Sequence, residues 1–459
     1  MMCWVVSGLR AESAEPNLAK PTTAQAAWQD MEVGMFIHFG PSVWENSQQN
    51  GCSTPLEEIN PVRLDTEQWV KAAELMGAKY IVFTAKHSGG FCNWPTKTTD
   101  YSIKNTPWRN GKGDIVGDLS ESCKKHGMKL GIYLSPADRK HGAKLTWGTN
   151  YSGPQGHCAD SIQQPIYNEM FREQLKELLK NYGDIVELWF DGDHQAQIAD
   201  ILEDYPDIIV VGGLHSKART SGEFGQSPST CWSSTSDAAG WKPDGVAGGD
   251  VWRPVECPVP SRDSWYWFWN VGTDHLLKSA DHMVEMYYQT VGHNANLLLN
   301  ANPDRSGLMP EIDVKRYGEF GAEIKRRFTK PLAEMSGRGA LLELKITGTT
   351  VKLDMIVVRK EGAGGKDKLE RVLQGSQVID HVILMEDISE GQRVEEYIVE
   401  GYVNNKWVEL CSGTTIGHKK IDRFFPKMCT KVRVKCQKFL AEPVIRKFAV
   451  YNTSWDWWQ

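Results

Sequence analysis

Several common signatures are missing from this chain, and each absence removes a class of function. No stretch approaches the roughly 18 consecutive apolar residues of a membrane-spanning helix, so a transmembrane segment is excluded. The N-terminal MMCWVVSGLRAESAEP holds an apolar run of only four residues, Cys3 to Val6, well short of the roughly 7 to 15 of a secretory signal core. Residues 1–26 therefore read as a polar leader or a degenerate signal segment. The first case implies a cytoplasmic protein, the second a secreted or lysosomal-type one. Ten cysteines run from Cys3 to Cys436 without a CxxC pair, which excludes a zinc ribbon and a thioredoxin-like motif. Positive charge is not in excess: the formal net charge is -6 and the Lys and Arg residues are dispersed. A phosphate backbone would find no basic field here, so nucleic acid is not an expected partner. Finally, no GxGxxG follows the first expected strand, which removes the phosphate-binding turn of a dinucleotide fold.

What is present is aromatic and acidic. The 18 Trp are numerous for 459 residues; most such rings pack in cores, but flat, weakly polar rings also suit the faces of sugars. Asn150 and Asn452 head glycosylation sequons, which matter only in a secreted chain. The stretch Asp184 to His194, DIVELWFDGDH, has period two: Val186, Leu188 and Phe190 on one face, and Glu187, Trp189 and Asp191 on the other. A strand of this kind lies with one face against helices and carries a reactive carboxylate at its C-terminal tip.

The surrounding chain repeats that unit. Strand Gly34 to Phe39 ends at His38; helix Asp65 to Met76 stops at Gly77; strand Tyr80 to Ala85 ends at Lys86-His87. Helix Ile115 to His126 closes at Gly127 before strand Lys129 to Leu134, and helix Tyr167 to Lys180 precedes the strand of Asp191. Helix Ala196 to Asp204 leads to strand Asp207 to Val211, a sixth strand falls near Asp250 to Glu256, and helix Ser279 to Val291 leads to a last strand at Asn296 to Asn300. Strands alternating with helices of about a dozen residues signal βα units. His38, His87, Tyr133, Asp191 and Glu256 each end a different strand, which is the distribution of a closed barrel rather than of an open sheet with one switch point. The expected class is α/β, a (β/α)8 TIM-type barrel over residues 27–330. From about Lys330 short alternating segments separated by Gly, Asp, Asn or Pro turns predict an all-β sandwich over 331–459. It braces the barrel, or binds carbohydrate.

Two carboxylates on different strand tips suit glycoside hydrolysis, one attacking the anomeric carbon and the other exchanging the proton. Asp191 as nucleophile and Glu256 as acid/base are the expected pair, Trp189 shares the face of Asp191, and Trp252 and Trp265 flank Glu256. The plainer reading makes Asp191 a helix cap and Glu256 a solvated loop acid. A competing enzymatic reading gathers His38, His87, Asp191, Asp193 and His194 around a divalent ion. Metal-dependent barrels usually place two histidines close together on the first strand, whereas here His38 is followed by Phe39-Gly40. The expected chemistry needs no cofactor and no metal.

The runs GMFIHFGPSVW, LDTEQWVKAAELMGAKYIVFTAKH, GFCNWPTKTTDYSIKNTPW, GKGDIVGDL, GIYLSPADR, VELWFDG, WRPVE through SWYWFW, and VGHNANLLLNANPDRSGL occur in this order over about residues 27 to 330. Together they resemble the α-L-fucosidases of glycoside hydrolase family 29. LSPADR, CNWP and W-x-P-x-E resemble the branch acting on α-1,3- and α-1,4-linked fucose. The resemblance implies a retaining exo-glycosidase that removes terminal fucose from oligosaccharides or glycoproteins through a covalent intermediate on Asp191, with Glu256 as acid/base. It also implies fucose contacts from His38, His87, Tyr133, Trp189 and Arg219, with Trp265 as a pocket wall. Three departures bear on the sugar: Ser88-Gly89 stand where many members have a second His and an acid, Gln48-Gln49 where they have Glu-Trp, and Thr220 where they have Trp. These leave open a related sugar such as L-galactose, or a catalytically weak barrel that binds fucosylated glycans.

Overall fold

The computed structural model describes residues 17–48, 50–143, 162–236, 243–263, 265–346, 351–356, 368–373 and 377–454. The leader up to residue 16, Gln49 and the Asn150 sequon lie outside them. Eight parallel strands form the first unit: β1 (Val33–Ile37), β2 (Tyr80–Lys86), β3 (Lys129–Leu134), β4 (Ile185–Trp189), β5 (Ile209–Val211), β6 (Arg219–Thr220), β7 (Val255–Val259) and β8 (Ala295–Ala301). They are ordered β5-β4-β3-β2-β1-β8-β7-β6, and a parallel bridge between Val211 and Ala218 brings the two ends together. This is the expected barrel, with one change in the count. β6 is only two residues long, too short for any periodicity, so the strand expected sixth, at Asp250 to Glu256, is the seventh. It begins only at Val255, while Val251–Trp252 pairs antiparallel with Ser234–Thr235 outside the barrel. Among the described residues no helix separates β5 from β6 or β6 from β7.

Local chemistry explains the helices on the outside. Asp65 and Asp114 cap the helices Thr66–Met76 and Ile115–His126, and each helix ends at a glycine of positive φ, Gly77 and Gly127, as helix C-termini favour. Period-two alternation then sorts the strands. Met35, Ile37, Ile81, Phe83, Ile132, Leu188 and Leu299 join the core between strands and helices, while Phe36, Tyr80, Val82, Tyr133, Trp189 and Leu298 fill the barrel interior.

The interior is unusually polar toward its N-terminal end. A short helix, Thr23–Gln29, begins within the stretch expected to be a leader. Its Trp28 is buried in the interior cluster, and its indole N–H donates to Glu187 Oε2 at 2.7 Å. Gly34 makes the room for this arrangement. A Cβ there would lie 2.4 Å from the Tyr80 ring.

The second unit is a sandwich of two four-stranded antiparallel sheets, one ordered Ala333–Arg338, Val444–Tyr451, Gln377–Glu386, Lys420–Cys429, the other Leu341–Lys345, Lys431–Phe439, Val394–Val403, Lys406–Gly413. The helix Glu311–Phe328 links it to the barrel. Ion pairs tie the two together: Lys419 to Glu32 at 2.6 Å and Arg423 to Glu285, on the helix Ala280–Thr290, also at 2.6 Å.

Replacing Gly34 by Ala forces a methyl group into the Tyr80 ring, an overpacking that costs about 1–3 kcal/mol. A clear drop in the urea midpoint of Gly34→Ala is expected, and an unchanged midpoint would show that the interior can yield.

Candidate active site

A cavity of about 250 Å³ opens at the C-terminal ends of the strands, lined by Phe36, His38, Gln48, His87, Tyr133, Trp189, Asp191, Glu223, Pro258, Trp265 and Trp267. That is slightly below the roughly 300–1,000 Å³ of drug-sized sites, and suits one small polar ring. A larger groove of about 790 Å³ lies at the opposite end, against Trp28, Lys79, Asp184 and Tyr205. The N-terminal face of a barrel serves stability rather than catalysis, and the smaller cavity, at the C-terminal ends, is the one that gathers the strand-tip residues His38, His87, Tyr133 and Asp191.

Most of the expected residues converge there. His87, Tyr133 and Trp189 form a stack, with ring centroids 5.5 Å apart at both steps and interplanar angles of 11° and 22°. The Tyr133 hydroxyl donates to Asp191 Oδ2 at 3.1 Å. Asp191 is exposed at the cavity, yet the surrounding protein desolvates its carboxyl and raises its pKa, while Tyr133 partly offsets the shift.

His38 is buried, and its Nδ1 lies 2.8 Å from Asn300 Oδ1. Asn300 Nδ2 donates to the Trp267 carbonyl at 2.8 Å, so Oδ1 is the accepting atom. His38 is then protonated on Nδ1, and its Nε2 carries the lone pair. Burial, and secondarily the neighbouring His87, holds its pKa well below the ordinary value; burial and then Arg139 hold His87 down at about 4. Both rings are neutral at physiological pH. His38 thus presents an accepting nitrogen, Nε2.

Two expected residues are not at the cavity. Arg219 is buried beside it, with its guanidinium spent on main-chain carbonyls: Nε donates to Arg253 at 3.0 Å, Nη1 to Pro243 at 2.8 Å, and Nη2 to Trp232. Glu256 lies deeper. β7 presents Pro258 to the cavity, and period-two alternation puts Glu256 one layer below on the same inward face. There it is fully buried, accepting from the Tyr80 hydroxyl (2.6 Å) and the Trp189 indole N–H (2.9 Å). Glu187 lies close enough for the two carboxyls to act on each other electrostatically, and Glu187 Oε1 has no hydrogen-bond partner among the described residues. Two neighbouring buried acids cannot both ionise cheaply, so one proton stays with the pair. Desolvation is the main cause that raises both, Glu187 well above its ordinary value and Glu256 to about 7.

The second carboxylate at the cavity is instead Glu223, in the loop after β6. Gly222 and Gly225 adopt φ of 98° and 66°, and a Cβ on Gly225 would lie 2.7 Å from Met286 Sδ, so the glycines let the loop fold down onto the helix Ala280–Thr290. Glu223 accepts a hydrogen bond from Trp267, and desolvation together with the negative charge of Asp191 pushes its pKa up to about 7. The sequence offered one signal for it, an acid between two glycines just after a buried arginine. Without a recognisable strand before it, that acid had no expected place in the barrel.

The departures also find local reasons. A Cβ on Gly89 would lie 2.4 Å from the Asn50 side chain, which leaves no space for an acid there. Ser88 Oγ sits 3.2 Å from His87 Nδ1. Gln48 is clamped, accepting from the Phe268 main-chain N–H at 2.8 Å and donating to Asn270. Asp193 and His194 of the metal reading do not line the cavity, and no group of three or more metal-ligating side chains occurs among the described residues.

The α-L-fucosidase family model matches residues 53–327. A relative from rice, Oryza sativa subsp. japonica, is 31% identical over 96% of this chain and 86% of its own. α-L-Fucosidase 1 of Arabidopsis thaliana is 30% identical over 95% of this chain and 88% of its own. A solved glycoside hydrolase 29 family member from an unknown rumen bacterium superposes with a TM-score of 0.80 at 29% identity, covering 96% of this chain and 78% of that one.

The buried acid pair yields a stability prediction. Because both folded-state pKa values are raised, the unfolded chain releases protons first as pH rises from about 4.5 to 7, and stability falls over that window. Glu187→Gln keeps a donor toward Glu256 and an acceptor for Trp28, so it should flatten that fall. Glu256→Gln sets an amide donor against Tyr80 or Trp189 and should cost about 1–3 kcal/mol. Urea unfolding of both variants at pH 5 and pH 7 checks this, and equal behaviour of the two would refute the retained proton.

Proposed function

Since this chain belongs to the α-L-fucosidase family and is a glycoside hydrolase, we propose that it is a retaining exo-enzyme that removes terminal α-1,3- or α-1,4-linked L-fucose from glycans. The observation that carries the mechanism is the pairing of Asp191 with Glu223 across one small aromatic cavity. In this reading Asp191, steadied by Tyr133, attacks the anomeric carbon and forms a glycosyl-aspartate. Glu223 donates its proton to the leaving oxygen and then, as a carboxylate, takes one from the water that releases the sugar. The electrostatics support this division of labour: desolvation, and after it the charge on Asp191, push the pKa of Glu223 up to about 7, so that it holds a proton at and below neutral pH as a proton donor must.

The remaining walls fit the sugar. Neutral His38 and His87 hydrogen-bond to hydroxyls without adding a charge that would compete with the developing oxocarbenium ion. Phe36, Trp189, Trp265 and Trp267 supply apolar faces for the ring and its 6-methyl group. The linkage assignment rests on the resemblance of LSPADR, CNWP and W-x-P-x-E.

The first test compares release of fucose from a Lewis-type trisaccharide, an α-1,2-fucosylated glycan and an aryl α-L-fucoside. The branched trisaccharide should be preferred and Asp191→Ala should lose several orders of magnitude on all three; near-normal turnover by Asp191→Ala would sink the nucleophile assignment. Glu223→Gln should hurt the trisaccharide far more than the aryl fucoside, and azide should restore its aryl activity as fucosyl azide, whereas Glu256→Gln should show no azide rescue. The pH dependence follows the same acids: kcat/KM should fall as pH rises through about 7, where Glu223 loses its proton, and Glu223→Gln should abolish that limb.

A further inference from the structure

Beyond the cavity itself, two exposed aromatic rings stand at its rim on the side of Glu223. Phe224 follows that acid in sequence and is 64% exposed, and Trp265, a cavity wall, is 49% exposed. The rings meet edge to face, 5.2 Å apart at 82°. Trp265 adopts φ 64°, a left-handed backbone that bulky residues rarely take and that is typically held at functional sites. The loop bearing Phe224 is seated rather than loose. Ser221 Oγ donates to the Gln226 carbonyl at 2.9 Å, and Gly225 packs directly on Met286. Two large apolar rings are therefore held facing water next to a charged cavity, where burial elsewhere would have been more favourable.

We propose that Phe224 and Trp265 form a stacking platform for the sugar that departs with the glycosidic oxygen, so that they select the leaving group. The inference rests on the reading of Glu223 as proton donor. A carboxyl that protonates the leaving oxygen must lie within a hydrogen bond of it, so the pyranose on that oxygen emerges beside Glu223, over the neighbouring rings. The apolar C–H face of a pyranose stacks on aromatic rings in this way. The occupant is therefore the saccharide to which fucose is attached, and not a second fucose.

The test compares two substrates with the same glycon: a fucosylated trisaccharide and α-L-fucosyl fluoride, whose leaving group has no ring to stack. In Phe224→Ala and Phe224→Leu, the ratio of kcat/KM for the trisaccharide to that for the fluoride should fall roughly tenfold, mainly through KM, and Phe224→Tyr should restore it. An unchanged ratio, with both substrates equally affected or equally unaffected, would overturn the platform. Glu223→Gln in the same assay separates the two failures. If that variant still turns over the trisaccharide at the wild-type rate, the proton-donor reading falls and the platform with it. If it is inactive while the Phe224 ratio stays constant, only the platform falls.

Discussion

The hydrogen bond from the Trp189 indole to buried Glu256 joins the two halves of the barrel interior. Below it lies a sealed network, in which Trp28 donates to Glu187, Glu187 and Glu256 keep one proton between them, and Tyr80 donates to Glu256. Above it, Trp189 stacks on Tyr133, and Tyr133 holds Asp191. A carboxyl buried this deeply costs a great deal unless every lone pair is used or the group stays protonated. The fold meets that cost with tryptophan and tyrosine donors and one retained proton, and the indole that results is fixed as a cavity wall.

The same electrostatics acts twice in one barrel, with different solvent. Glu187 and Glu256 are closed off from water, so their mutual repulsion is relieved by one retained proton and the pair is structural. Asp191 and Glu223 line an open cavity, where desolvation raises both and the charge on Asp191 lifts Glu223 further, while Tyr133 partly offsets the shift on Asp191. Two carboxyl pairs therefore differ in role through access more than through chemistry. The sandwich contributes indirectly. It grips the helix Ala280–Thr290 through Arg423, and the same helix seats the loop of Glu223 through Met286.

Much of the architecture was legible in residue order. Strands alternating with helices, two of them stopped by Gly77 and Gly127, mark β1 to β4, and the tips of those strands carry His38, His87, Tyr133 and Asp191 into one cavity. Two strand boundaries were not legible. One strand has two residues and no periodicity, so the loop after it was not expected at the barrel mouth; the strand expected to end at Glu256 instead runs Val255–Val259, which puts Glu256 near its buried start.

The sequence by itself determined which face each strand turns inward, because the side-chain period of two is a local property of an extended backbone. It also determined which residues end the long strands, and the general kind of chemistry that acids among tryptophans can perform. Only the tertiary structure decided depth. Whether an inward carboxylate lies in a sealed layer or at an open mouth depends on the stagger of neighbouring strands around the barrel, which no single strand encodes. That stagger buries Glu256 beneath Trp189 and leaves the rim to Glu223, whose place is set by a helix more than fifty residues further along the chain.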